Sequence, residues 1–370
     1  MFLIPLLPLL PSAQAFLLFA QPLVLARMDP IVQPLQASQH THLVVGGSAF
    51  QSTYSYISYA SANCTTMEAK VDKSNYWTSP VFGRKGGKYK PLPVHEVRVY
   101  YLQQGEEPTT AFPEGLKMLA GNAMSLNSTG NAYDGSKYAT FDCQQDLSNP
   151  TDGLAMRGFP PYKCQGFLRA SVPFPNCWDG KNTDSTDHHA HVAYAENGGG
   201  GDCPDTHPVR FPQLVLEFGY VSHEYEPHEL IMSNGDTTGY SLHSDFAMGW
   251  NRNILSAALA DPTCQHRQNL YTADTGGECL TLLPHADKAA SQSCELEGYI
   301  PQEEVGLLGP LGKLPGCNVP WRKGDRPCME ADEVGYGRPG RWVGWSGVIL
   351  PVWAPAGRGR RESAVVRRGQ

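Results

Sequence analysis

Val94-His-Glu-Val97-Arg-Val99-Tyr-Tyr101-Leu102 alternates apolar and polar side chains. Val97, Val99 and Tyr101 fall on one face and Glu96, Arg98 and Tyr100 on the other, the period of a half-buried β-strand. Gln213 to Tyr220 repeats the pattern, with Leu214, Leu216 and Phe218 opposed to Val215, Glu217 and Gly219. Leu43-Val44-Val45 before Gly46-Gly47 adds a shorter strand ending in a turn. Between such segments lie turn-rich stretches, Leu126 to Asp152 and Glu196 to Asp205, which read as loops. Helical spacing shows at Gly249 to Leu259, and a second short helix is expected over Pro301 to Leu308. With 38 Gly and 30 Pro in 370 residues, the chain is turn-rich and mainly β. The expected fold is an antiparallel sandwich or jelly-roll-like core with long loops, a few short helices and several disulfides.

Composition narrows the setting. A formal net charge of -7 argues against a nucleic-acid partner, because phosphate binding draws its affinity from Lys and Arg. Residues 1–26 carry no charge, and their leading apolar run ends in Ala13-Gln-Ala15. They read as a secretory signal cut after Ala15 or as late as Ala26, and the prolines at 5, 8, 11 and 22 disfavour a membrane span. One domain is expected over 27–320. Past it, Arg358, Arg360, Arg361, Arg367 and Arg368 mark 321–370 as a basic, disordered tail. Ten cysteines without a C-x-x-C pair suit disulfides in an oxidising compartment rather than a thiolate metal site. Asn63-Cys-Thr65 and Asn127-Ser-Thr129 are acceptor sequons that fit a secreted glycoprotein.

Most histidines stand beside acids or hydroxyls, in Ser38-Gln-His40-Thr-His42, Asp187-His188-His189-Ala-His191, His207-Pro208 and Asp236 to His243-Ser-Asp245. Imidazole and carboxylate are the usual ligands of divalent transition metals and the usual proton carriers near neutral pH. Strand spacing would aim His40 and His42 the same way, and likewise His243 and Asp245. The i, i+3 spacing of His188 and His191 requires a turn. The metal ligands expected are His40, His42, His191 and His243. Asp245 is a further ligand or base, Asp187 an acceptor that orients an imidazole, and His188 an acid/base group. The competing reading is a set of hydrogen-bonded histidines on a polar sheet face. His207 and Asp236 read as structural, the latter in an Asn-Gly-Asp turn. Glu217 with Asp245 or Asp236 could form a glycosidase pair, and Trp77, Trp178 and Tyr240 could stack on sugars. No G-x-S-x-G elbow, P-loop or H-E-x-x-H is present.

Arg27-Met-Asp-Pro-Ile-Val32, Ser38-x-His40-x-His42, Gly46-Gly47-x-x-Phe50, Lys73-Ser-Asn-Tyr-Trp77, Phe174-Pro-x-Cys-Trp-Asp-Gly180, Asp187-His188-x-x-His191-Val-Ala-Tyr194 and Gly235-Asp236-x-x-Gly-Tyr240-x-x-His243-x-Asp-Phe246 together resemble the secreted fungal domain of unknown function nineteen ninety-six, in order from Arg27 to Cys317. Members of that family are extracellular or wall-associated, and some carry a carbohydrate-binding WSC module. The resemblance implies no established activity. It carries over His40, His42, His188, His191, His207 and His243, while His189 falls at a variable position. Ala190 stands where a serine is common, and no WSC module follows Cys317. The function expected is a secreted protein with a His-rich metal site that acts on or binds extracellular or wall polysaccharide; the alternative is a non-catalytic wall-binding or structural protein.

Overall fold

The computed structural model describes residues 14–105, 107–144, 153–264, 279–321, 334–337, 340–345 and 348–352. Val94–Gln103 and Gln213–Val221 are neighbours in an antiparallel five-stranded sheet, in the order Gln14–Ala20, Val94–Gln103, Gln213–Val221, Phe167–Pro173, Thr140–Gln144. This is the Glu217 sheet. A second antiparallel sheet, the histidine sheet, runs Pro22–Ala26, His42–Gly46, Asn75–Thr78, His243–Ala247, Lys117–Gly121.

The inward faces of both sheets share one core, which makes the domain a β-sandwich. Val97, Val99, Leu216 and Phe218 from one sheet meet Leu43, Val45, Tyr76 and Phe246 from the other in a single buried cluster. A polar knot interrupts it. Asp72 accepts hydrogen bonds from the hydroxyls of Tyr76 at 2.8 Å and Tyr101 at 3.0 Å, and Trp250 Nε1 donates to Tyr101 at 2.8 Å.

The two sheets differ in their outward faces. That of the Glu217 sheet is polar and half-exposed, as its alternation predicts. The outward face of the histidine sheet is instead covered, and Val24, Val44, Trp77 and Ala247 pack there against Ile31, Phe50, Tyr59 and Leu296 in a second cluster. Part of this covered face is polar, and it holds His42, His243 and Asp245.

Several expectations need correction. Gln14–Ala20 and Pro22–Ala26 are buried strands, one in each sheet, so a cut as late as Ala26 would remove an edge from both. Thr140–Gln144 is a strand inside the expected loop 126–152, stitched to its neighbourhood by the Cys143–Cys164 disulfide; residues 145–152 lie outside the described residues. The helix near 250 spans Arg252–Ala260, started by Asn251, whose side chain accepts from the Ile254 N–H. Residues 301–308 form no helix. Ile300–Pro301 pairs with Tyr336–Gly337, and Glu304 accepts the N–H groups of Gly306 and Leu308 in a turn where Gly306 has φ +91°. The stretch expected to be disordered also contributes the pair Gly340–Trp345 with Val348–Val352; Arg358 and the other tail arginines lie outside the described residues.

Disulfides join Cys64–Cys294, Cys143–Cys164, Cys177–Cys203 and Cys264–Cys279, and no described cysteine is free. Among the described residues no helix is long and apolar enough to cross a membrane.

Candidate metal centre

His243 and Asp245 project together from the outward face of their strand, and His42 opens the His42–Gly46 strand two positions across the sheet. His40 lies in the bend before that strand rather than on it, yet its ring returns to within 4.4 Å of the His42 ring and 5.0 Å of the His243 ring. One nitrogen from each of the three lies within 4.8 Å of the others. His40 Nε2 and His243 Nε2 are 3.1 Å apart.

Backbone carbonyls set the tautomers. His243 Nδ1–H donates to the Ser241 carbonyl at 2.7 Å, and His42 Nδ1–H to the Met28 carbonyl at 3.1 Å, which turns both Nε2 lone pairs inward. His42 Nε2 is buried with no partner, and so is Asp245 Oδ2. Such unmet groups cost about 1–3 kcal/mol each, which a bound cation would offset. Nitrogens about 2.0–2.1 Å from a tetrahedral zinc-like ion stand roughly 3.3 Å apart, close to the His40 to His243 separation. The donor set fits a divalent transition metal.

The electrostatics agree. Burial lowers the pKa of all three imidazoles: His40 falls well below the ordinary value, with further pushes from His42, His243 and Arg27; His42 does likewise, with His243 adding to burial; and His243 drops to about 4. All three are therefore neutral near pH 7, the form that binds metal. Asp245 moves the opposite way, well above the usual carboxylate range, through burial and then its neighbour Asp29.

Asp29 is the residue the motif reading missed. It is buried, its carboxylate accepts the N–H groups of Ile31 at 3.1 Å and Val32 at 3.0 Å, and burial raises its pKa. Its only sequence signal was its place in Arg27-Met-Asp-Pro. Asp29, Asp245, His40 and His243 line a cavity of about 230 Å3, together with Gln33 and Asn122.

The other histidine cluster divides. His189 lines the same cavity. His188, at φ +57°, donates from Nδ1 to Asp184 at 2.7 Å. His191 stands apart from the trio. Its Nε2–H donates to the Lys117 carbonyl at 2.7 Å and its Nδ1 faces the Ser185 hydroxyl at 3.0 Å, so the ring is held away from the group formed by the other three. Lys117 also lies at the opposite end of its strand from Gly121, the partner of His243, about 13 Å away at strand rise. Asp187 orients no imidazole. It accepts from Tyr133 at 2.5 Å, Ser185 at 2.9 Å and the N–H groups of His189 and Ala190, and these bonds, Tyr133's foremost, hold its pKa below the usual range. Its role is to shape the loop.

His207 bonds the Ala190 carbonyl at 3.1 Å, and Asp236 accepts from Thr238 and Ser241 in its turn. Glu217 and Asp245 cannot form a glycosidase pair. They face outward from opposite sheets of a sandwich whose layers alone are about 10 Å apart, beyond the roughly 5–9.5 Å such pairs need. Glu217 instead accepts from Ser171 at 3.1 Å. Trp77 is fully buried, and Trp178 stacks on Phe211.

Fold and site together define an antiparallel β-sandwich protein with a buried histidine triad. Residues 29–250, more than half the chain, match the model of a family described as Domain of unknown function (DUF1996), and the chain belongs to that family. The matched range contains Asp29, His40, His42, His243 and Asp245. No curated protein and no solved structure matches the chain.

Proposed function

We propose that His40, His42 and His243, with Asp245 as a fourth ligand or base, hold a divalent transition metal, and that the domain uses this centre outside the cell on a polysaccharide or other wall component. The observation that carries the metal is the inward Nε2 of His42, buried and unpartnered beside two more imidazole nitrogens. The disulfides among the described residues support an oxidising compartment, and the exposed sequon residues Asn63 and Asn127 suit a glycoprotein. Amides of Gln33, Gln39 and Asn122 at the cavity suit a hydroxyl-rich ligand. His188, held by Asp184 at 2.7 Å beside His189 of the cavity wall, is the acid/base candidate.

The 3.1 Å approach of His40 and His243 favours a second reading, in which one Nε2–H donates to the other and the triad knits a non-catalytic wall-binding protein. That bond leaves His42 Nε2 unmet. Elemental analysis separates the two. The purified protein should hold about one transition-metal ion per chain, and His42→Ala should weaken binding by more than the roughly 10–100-fold that loss of an orienting partner costs. Protein that takes up no stoichiometric metal on titration refutes the metal centre.

A further inference from the structure

The loop Asp187–His191 is a partition with a cavity on each side. His189 lines the histidine cavity, and the adjacent Ala190 lines a groove of about 540 Å3, a volume in the range of small-molecule sites. Three tyrosines, Tyr133, Tyr138 and Tyr194, and two carboxylates, Glu196 and Asp202, also line the groove. Tyr138 and Tyr194 have ring centroids 4.9 Å apart, and Tyr194 is fixed by donating to the Pro173 carbonyl at 2.9 Å. Tyr133 is 57 % exposed, and its ring lies 5.8 Å from that of His189. The aromatic surface thus reaches the partition and touches a residue of the other cavity. The far wall is held by the Cys177–Cys203 disulfide and by the bond from His207 to the Ala190 carbonyl.

We propose that this groove binds an amino-sugar oligomer, with sugar faces on Tyr133 and Tyr138 and ammonium groups against Glu196 and Asp202, the chain running across the Asp187–His191 loop toward the histidine cavity. The proposal rests on the polysaccharide reading above and names its substrate class. Tyrosine rings offer flat apolar faces with a polar tip, which suit pyranose rings. Glu196 and Asp202 are both exposed, and no ion pair of the described residues engages either. They favour a cationic glycan over a neutral one and repel a uronate. A basic peptide would meet the same charge but would not use paired ring faces.

Calorimetry on the whole protein, stripped with EDTA so that metal plays no part, tests this with four probes of equal length: a glucosamine hexamer at a pH where its amines are protonated, its N-acetylated form, an oligogalacturonate and an oligolysine. The glucosamine hexamer should bind at least 10-fold more tightly than the others. Glu196→Gln with Asp202→Asn should abolish that preference, and Tyr133→Ala should weaken glucosamine binding where Tyr133→Phe, which keeps the ring and loses only the Asp187 bond, does not. Unchanged near-UV circular dichroism certifies each variant as folded. Equal binding of the acetylated form, tighter oligolysine binding or no binding at all overturns the assignment. Loss of metal in His42→Ala with hexamer binding intact separates the fate of the metal centre from that of the groove.

Discussion

A buried imidazole that stays neutral makes folding sensitive to acid, and His243 sets the window. Its folded pKa is about 4, lowered by burial, whereas an unfolded histidine takes its proton near 6.5. Between those values the unfolded chain binds the extra proton, so the contribution is intact above pH 6.5 and is lost as pH falls toward 4. The whole excursion costs about 3 kcal/mol. Asp245 has the reverse sign. Its raised pKa means the folded carboxyl keeps its proton above 3.8 while the unfolded one releases it, so stability falls as pH rises from there. In metal-free protein, His243→Gln should flatten the decline in urea-unfolding free energy from pH 6.5 to 4, and Asp245→Asn should flatten the opposite limb. A His243→Gln profile with the parent's acid slope would show that the ring is hydrated, not buried. The triad was legible because H-x-H and H-x-D put like groups close in sequence. Asp29 and the true place of His191 were not, because a lone Asp-Pro gives no periodic signal and spacing does not show which carbonyl has taken a ring nitrogen.

At the scale of elements, the site depends on how closely two strands approach. Gly121 lies opposite His243 in the register, with φ +86°, and a Cβ there would stand 2.4 Å from the Leu242 carbonyl oxygen and 2.6 Å from the His243 Cα. Backbone of this kind cannot yield as a flexible side chain would, and the positive φ adds strain of its own. Gly121→Ala should therefore cost on the order of 1–3 kcal/mol in thermal or urea unfolding and weaken metal uptake by displacing His243. Retained stability and full metal content would mean the two strands sit farther apart than described. Strands with strict alternation were legible to within a residue: Val94–Gln103 and Gln213–Val221 end one position past the last residue of their patterns. Thr140–Gln144 was hidden because its partner Phe167–Pro173 and the Cys143–Cys164 disulfide, not its own short pattern, hold it in the sheet. The helix over Pro301 to Leu308 failed because apolar spacing is blind to a carboxylate that captures the N–H groups of a turn.

Over the whole molecule, distant parts of the chain close the sandwich. The Cys64–Cys294 disulfide spans 230 positions, and Gln14–Ala26 supplies an edge strand to each sheet. The apolar run that reads as a leader reads equally well as largely buried strands, since both are continuous hydrophobic sequence; only tertiary packing tells them apart. Phe16 and Leu18 enter the shared core with Leu25, and Leu23 and Val24 enter the second cluster, each no more than 1 % exposed. At about 1.5–3 kcal/mol per buried side chain, the five contribute roughly 8–15 kcal/mol, as much as the whole net stability of an ordinary domain. A chain beginning at Phe16 should fold with a cooperative thermal transition and native near-UV circular dichroism. One beginning at Arg27 should lack both and be cut rapidly by protease. Because His42 and His40 are positioned by the strand that pairs with Pro22–Ala26 and by the Met28 carbonyl just beyond it, the shorter chain should also fail to take up the proposed metal. If the Arg27 chain melted at the parent's temperature, the two N-terminal strands would be ornaments to the sandwich rather than its edges, and the triad would need another explanation for its geometry.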